Sequence, residues 1–245
     1  MRKPSFDGFF FFYARMRNMS GILYIVPTPI GNLEDITLRA IRVLKEVDCV
    51  LCEDTSVAQR LFKEYGISTP TTVFYAQTGI KNIEKIMSQL SEGKSLALVS
   101  DAGTPTISDP GVLLVNKIRN ELPGVAVVSL PGASALITAL SASGISSSTF
   151  SFYGFIPHKK GRETLFKTIL ENENTSVFYE SVHRIEKTLE SLSHYLDESR
   201  IIVIARELTK VHEEVVRGTA HQVKKYFETH KDHLRGEFVV VVSGK

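Results

Sequence analysis

The chain has 245 residues, 43% hydrophobic and 23% charged, which is ordinary for a soluble globular protein with length for one large or two modest domains. A formal net charge of +2 argues neither for nor against nucleic acid, so local patches of charge must decide. Beyond residue 18 no window approaches the ~18 apolar residues of a membrane helix; no membrane partner and a cytoplasmic location are expected.

The first residues stand apart. Phe9, Phe10, Phe11 and Phe12 form an aromatic run beside Arg2, Lys3, Arg15 and Arg17. The run is too short for a signal peptide or a membrane span. It reads as a disordered extension over residues 1–20, with Met19 available as an alternative start; a surface anchor is the other reading.

Residues 22–26 form a short apolar strand that runs into Pro27-Thr28-Pro29-Ile30-Gly31-Asn32, a turn whose backbone could cradle a ligand. Asp35 or Thr37 is placed to cap a helix with Leu38, Ile41, Leu44 and Val47 inward and Arg39, Arg42 and Lys45 outward. The second strand, 50–52, delivers Glu53, Asp54 and Thr55 to its carboxyl end. Cys49 and Cys52 make a lone CxxC here, but residues three apart on a strand face opposite sides and no second pair completes a zinc site. Both are expected as core thiols in a reducing compartment, and no metal is expected. A helix through Val57, Leu61, Phe62 and Tyr65 stops at Gly66. A third strand spans 73–76, and the next helix places Ile83, Ile86, Met87 and Leu90 on one face.

Residues 96–99 are a buried strand about to end, and SDAGTPTISDPG, residues 100–111, follows. Gly103, Pro105, Pro110 and Gly111 forbid regular structure there, and Ser100, Asp101, Thr104, Ser108 and Asp109 are turn and cap formers. Ligands of open α/β sheets bind beyond the carboxyl ends of strands, where small residues permit close approach and the two aspartates offer acceptors. A helix resumes at Val112 through Val115 and Ile118, and a fifth strand, 125–130, ends in Pro131-Gly132-Ala133-Ser134. Strands alternating with helices predict a parallel, doubly wound sheet.

After Gly144 the rhythm changes. Residues 149–155 alternate as a half-exposed strand, and a basic loop, His158-Lys159-Lys160-Gly161-Arg162, precedes a helix with Leu165, Phe166 and Ile169. Strands are expected at 176–179, 201–205, 211–216 and 237–242, with helices around 185–196 and 223–227. The spacing predicts a mixed sheet and hence two α/β domains, 21–133 and 134–245, with a cleft between them.

Three ligand-approach loops thus end three strands: 28–32, 100–111 and 131–134. None is a GxGxxG fingerprint or a lysine-bearing P-loop, and HExxH and GxSxG are absent. Apolar rims with backbone polar groups suit a neutral or cationic adenosyl ligand better than a polyphosphate.

The blocks TPIGNLEDITLRA, CEDT, LALVSDAGTPTISDPG, LPGASA, FYGFIPHKKGR, FYESVHR, ARELTKVHEEVVRG and GEFVVVV together resemble the ribosomal RNA small subunit methyltransferase I family. That family belongs to the tetrapyrrole-methylase-like superfamily of S-adenosylmethionine enzymes. The resemblance runs from about residue 23 to 242. It implies a two-domain α/β fold, a homodimer, S-adenosylmethionine bound between the domains, and 2′-O-methylation of a cytidine in the decoding region of 16S rRNA in the small ribosomal subunit. The chain departs from the family pattern in four places. Ser56 stands where Arg usually follows EDT, and Gln77-Thr78-Gly79 stands in place of a His-Asn pair. Val182 precedes His183 where Pro or Thr is usual, and the sequence ends at Lys245, before the small helical tail of many members.

On this resemblance the candidate cofactor contacts are Pro29, Gly31, Asp101, Ala102, Gly103, Thr104, Ile107, Pro131, Ser134, Ala135, Phe178 and Tyr179, with Asp101 holding the amino-acid or ribose part. Methyl transfer from a sulfonium needs alignment and desolvation, and transfer to a hydroxyl also needs an acceptor for its proton. Glu53, Asp54, Glu180, Glu207 and Glu237 are the available carboxylates. Glu53 and Asp54 are the preferred catalytic pair because their strand end borders the cofactor loop. Arg184, Arg206 and Lys210 are placed to meet RNA phosphate, and Lys159, Lys160 and Arg162 to steer RNA, with a solvated loop as the alternative for the last three. A tetrapyrrole or other small-molecule methyltransferase, and a non-catalytic ribosome-associated module, are the competing functions.

Overall fold

The computed structural model describes residues 21–75 and 80–245. The expected extension over 1–20, Ala76 at the end of the expected third strand, and the Gln77-Thr78-Gly79 triplet lie outside the described residues. The chain forms two compact units: one reaches Pro29 and resumes over Leu33–Ala133, and the other comprises Ile30–Asn32 and Ser134–Lys245.

The first unit is a parallel sheet. Strands β1 (Ile22–Ile25), β2 (Cys49–Cys52), β3 (Thr71–Val73), β4 (Ser95–Leu98) and β5 (Ala126–Ser129) pair in the order β3-β2-β4-β1-β5. Their short apolar runs are those of strands covered on both faces. The period of two divides β1 accordingly: Ile22 and Val26 pack into one apolar cluster, Leu23 and Ile25 into another. The first cluster is closed by α1 (Leu38–Glu46) and α2 (Thr55–Tyr65) through Ala40, Val43, Leu44, Ala58, Leu61 and Phe62. The second is closed by α3 (Ile80–Ser91) and α4 (Val112–Glu121) through Ile83, Ile86, Met87, Leu90, Leu114 and Ile118. Side chains such as Leu23, Leu44 and Leu96 have no exposed surface, and each contributes ~1.5–3 kcal/mol by burial.

The second unit carries the mixed sheet that its spacing predicts. Strands β6 (Phe150–Phe155), β7 (Thr175–Ser181), β8 (Ile201–Arg206), β9 (Glu214–Thr219) and β10 (Glu237–Val242) lie in the order β6-β7-β10-β8-β9. Only β6 and β7 pair in parallel; the other three pairings are antiparallel. One face packs against α6 (Arg162–Glu171), α7 (Ile185–Tyr195) and α8 (Ala220–Thr229) around Phe166, Phe178, Leu192, Ile204, Phe227 and Val240. The helix α5 (Ala135–Ser143), built of small and apolar residues, packs against β8, β9 and β10.

Two local expectations are corrected and one alternative is resolved. Leu38, expected in the core, is 87% exposed. Steps of three residues drift by about 60° around a helix, so positions 38, 41, 44 and 47 span half the circumference, and the buried arc is Ala40, Val43, Leu44 and Val47. Of the two cap candidates, Thr37 accepts the Ala40 N–H at 3.0 Å, while Asp35 belongs to a 3-10 turn, Leu33–Asp35. The strand expected at 211–216 begins at Glu214, because register with β8 pairs Arg206 with Glu214 and leaves the intervening residues as a turn with Val211 96% exposed.

Candidate functional site

The strand order decides which loops meet. Because β4 lies between β2 and β1, and β5 flanks β1, the carboxyl ends of four adjacent strands present, in order, Glu53-Asp54, residues 100–111, residues 27–29, and Pro131 with Gly132. All lie in the first unit.

Hydrogen bonds stitch these loops together. Thr28 and Gly103 exchange two backbone bonds of 2.9 and 3.0 Å. The Thr28 hydroxyl donates to the Ser100 carbonyl at 2.9 Å, and the Ser100 hydroxyl donates to the Gly103 carbonyl at 3.0 Å. Thr104 donates to the Ala133 carbonyl at 2.9 Å. Gly132 is obligatory at its position, since a Cβ there would lie 2.5 Å from the Cβ of Pro27. Thr106 and Ser108 adopt φ of +74° and +61°, unusual for residues with side chains and a sign that the loop is held by its surroundings. Asp101, Ala102, Ile107 and Pro131 are exposed, Pro29 and Thr104 half-buried, and Gly103 buried. The backbone at Gly103 is therefore spent on Thr28, while the Asp101 carboxylate and the 101–102 backbone face solvent.

The electrostatics are acidic. Burial, together with repulsion from Asp109 and Asp101, pushes Glu53 up to about 7. Burial and the Asp101 charge push Asp109 up to about 6, against a bond to Ser100 that lowers it. Asp54 differs: it is the N-cap of α2, its carboxylate accepting the Ser56 N–H at 2.7 Å, and that bond holds its pKa below the ordinary value. Asp101 and Asp109 were both legible as acceptors in the loop, but the coupling of Asp109 to Glu53 was not, because it depends on β4 lying beside β2. Burial also raises Cys52 to about 11, so its thiol stays protonated, and no group of three or more metal-ligating side chains occurs among the described residues.

The other candidates lie in the second unit. Gly31 sits against the turn after β8, where a Cβ would come 2.5 Å from Lys210 Cγ, and Thr209 accepts the Asn32 N–H at 3.1 Å. Ser134 is the N-cap of α5 and Ala135 its first residue. Phe178 has no exposed surface and is part of the core. Tyr179 is half-buried between Phe152 and Phe155, edge-on to both at 5.0 and 5.3 Å.

Four of the six cations assigned to RNA are engaged internally. Arg162 and Arg184 both pair with the buried Glu180, at 3.5 and 2.8 Å. Arg206 is buried and pairs with Glu214 at 3.3 Å. Glu214 also accepts from Tyr226 and meets His233 at 3.1 Å, and these partners lower its pKa against the opposing effect of burial. Lys210 bridges Glu207 at 2.9 Å and Glu237 at 2.8 Å. Burial would raise Glu207, but the Lys210 ammonium and the Glu237 N–H hold it below its ordinary value. Lys159 and Lys160 are exposed and pair with no carboxylate among the described residues. Glu180, Glu207 and Glu237 are thus paired with cations within the unit, whereas Glu53 and Asp109 in the first unit are the carboxylates whose pKa is raised toward neutral.

A family model of the Tetrapyrrole (Corrin/Porphyrin) Methylases matches residues 22–224. The chain is 44% identical over 231 residues to Ribosomal RNA small subunit methyltransferase I of Haemophilus influenzae, covering 94% of this chain and 81% of that one. It is 44% identical over 225 residues to the protein of the same name from Thermotoga maritima, covering 92% and 99%. Among solved structures, a diphthine synthase superposes with a TM-score of 0.69 at 15% identity, covering 92% of this chain and 90% of that one. A cobalt precorrin-4 methyltransferase superposes with a TM-score of 0.65 at 18% identity, covering 91% and 94%. At those identities the likeness is one of fold.

Proposed function

Since the chain belongs to the ribosomal RNA small subunit methyltransferase I family of tetrapyrrole methylases and is an S-adenosylmethionine-dependent rRNA methyltransferase, we propose that its acceptor is the 2′-hydroxyl of a cytidine in the decoding region of 16S rRNA. The supporting observation is Glu53, at the carboxyl end of β2, with a pKa of about 7 beside the Asp101 loop. A hydroxyl acceptor must lose a proton, and a general base serves best with a pKa near the working pH.

The residues present fit the cofactor. Asp101, with the exposed backbone at Ala102, would hold its polar end, and Ile107 offers apolar surface to the adenosyl part. The negative potential of Glu53, Asp101 and Asp109 favours a ligand carrying ammonium and sulfonium charge and disfavours a polyphosphate. When bound, S-adenosylmethionine supplies an electrophilic methyl group. Glu53, as carboxylate, would take the proton from the 2′-hydroxyl as the ribose oxygen bonds to the methyl carbon and the carbon–sulfur bond breaks, its electron pair staying on sulfur. Asp54, the next residue, caps the start of α2.

The acceptor is tested by offering radiolabelled S-adenosylmethionine to small subunits from cells lacking the protein and mapping the label. Label on a cytidine ribose is expected; label on a base, or none on 16S rRNA, overturns the assignment. The family resemblance also supports a homodimer, and a monomer by light scattering at micromolar concentration removes that element. Action on rRNA supports a cytoplasmic location. No helix among the described residues is long and apolar enough to cross a membrane.

A further inference from the structure

We infer that the loop of residues 157–161 is a phosphate-contacting surface for RNA, and that the buried Glu180 is the positioning residue that holds it in place. The inference rests on the reading of the protein as an rRNA methyltransferase. The sequence suggested that Arg184 meets RNA phosphate and that Arg162 steers RNA; in the structure both pair with Glu180.

Glu180 lies in β7 with its side chain wholly buried. Four donors converge on the carboxylate: Arg184 at 2.8 Å, Arg162 at 3.5 Å, the Thr188 hydroxyl at 2.6 Å and the Ser181 N–H at 2.8 Å. Both arginines extend this anchor to the loop, one at each end. Arg184 donates to the carbonyl of Ile156, the residue before the loop, at 2.5 Å. Arg162, the residue after it, also donates to Thr188 at 2.8 Å and lies over the Phe166 ring at 4.9 Å from its centre. Within the loop the Arg162 N–H closes a turn on the Lys159 carbonyl at 3.2 Å.

His158, Lys159 and Lys160 project from this frame, all exposed. Beneath them two guanidinium groups face one carboxylate, so the base of the loop carries a net positive charge that Glu180 does not cancel. A short loop fixed at both ends presents its two ammonium groups at low entropic cost. Clustered ammonium groups over a residual positive charge complement a phosphodiester backbone. Glu180 touches no RNA in this scheme; it acts through Arg162 and Arg184.

The test measures binding to unmethylated small subunits across a salt series, with S-adenosylmethionine affinity determined in parallel by calorimetry. Lys159→Ala combined with Lys160→Ala should weaken subunit binding roughly tenfold at ~0.1 M salt and lower the slope of log K against log salt by about 1.5. Cofactor affinity should stay within about twofold, since no phosphate contact enters it. Glu180→Gln should produce the same split, lower subunit affinity and lower slope at unchanged cofactor affinity. Where that variant fails to fold, Thr188→Val, which removes the hydroxyl that bridges Arg162 to the carboxylate, carries the test with a smaller effect of the same pattern. Unchanged binding in the double lysine variant overturns the surface. A loss confined to that variant, with Glu180→Gln and Thr188→Val like wild type, overturns the role of Glu180, as does a parallel loss of cofactor and subunit affinity in Thr188→Val. Wild-type protein that neither binds nor methylates small subunits would instead refute the functional reading beneath the inference.

Discussion

The Asp101 carboxylate accepts the N–H of Asp54 at 3.2 Å, so the loop after β4 and the residues after β2 are joined by a hydrogen bond at neighbouring strand ends. The bond ties Asp101 to the start of α2, which Asp54 caps, and the Asp101 charge adds to the burial and the Asp109 charge that raise Glu53. Replacing any one of these carboxylates therefore has a separable effect.

Asp101→Ala removes the acceptor assigned to the cofactor. A hydrogen bond to a charged group is worth ~1.5–3 kcal/mol, so S-adenosylmethionine affinity should fall by roughly tenfold or more. The Asp54 N–H is at an exposed residue and takes water instead, so the melting temperature should change little. Calorimetry with unchanged affinity would remove Asp101 from the site.

Glu53→Gln should lower turnover by about 10²–10⁴-fold, the usual contribution of a general base, with cofactor affinity retained. The wild-type rate should rise with pH through about 7, the pKa of Glu53, as the carboxylate ionises, and the variant should lack that limb. Stability runs the opposite way. The folded-state pKa of about 7 lies above the ordinary value of 4.5, so the native state binds more protons between these values and stability falls as pH rises through that window. Glu53→Gln removes the penalty, and thermal melts at pH 8 should show it at least as stable as wild type. A variant with wild-type turnover would eliminate Glu53.

Asp54→Asn should keep both turnover and melting temperature, because Asn caps a helix as Asp does. Asp54→Ala should lower the melting temperature, since the Ser56 N–H loses its acceptor. A loss of turnover in Asp54→Asn beyond tenfold, with cofactor binding intact, would restore Asp54 as a proton acceptor.

Arg206→Ala should destabilise the protein by about 3 kcal/mol, because it leaves Glu214 without its buried cationic partner. The salt dependence of subunit binding should be unaltered. Urea denaturation and the salt series together check this, and a lower slope without lost stability would return Arg206 to the RNA surface.

Local patterning carried much of the fold. Apolar runs of four or so residues ending at Gly, Pro or Asp mark β1, β2, β4 and β5, because a chain about to leave a buried strand must satisfy its backbone in a turn. The same rule makes SDAGTPTISDPG stand out as a ligand loop without any knowledge of its neighbours. Patterning failed where period alone was ambiguous. Leu38 matches a helical stripe but lies opposite the buried arc, and Val211 looks like the start of a strand but is fully exposed in a turn fixed by pairing of Arg206 with Glu214.

The assignment of charge was decided only in three dimensions. Arg162, Arg184, Arg206 and Lys210 read in sequence as cations available to phosphate, yet each faces a carboxylate that is 18, 4, 8 or 3 positions away along the chain. A side chain's partner depends on sheet register and helix docking, which one-dimensional spacing does not contain. The site itself has the same origin. The sequence alone determined that Glu53 ends one strand and Asp101 follows another. Only the insertion of β4 between β2 and β1 made them neighbours, and with that proximity came the burial and like-charge repulsion that hold Glu53 protonatable near pH 7.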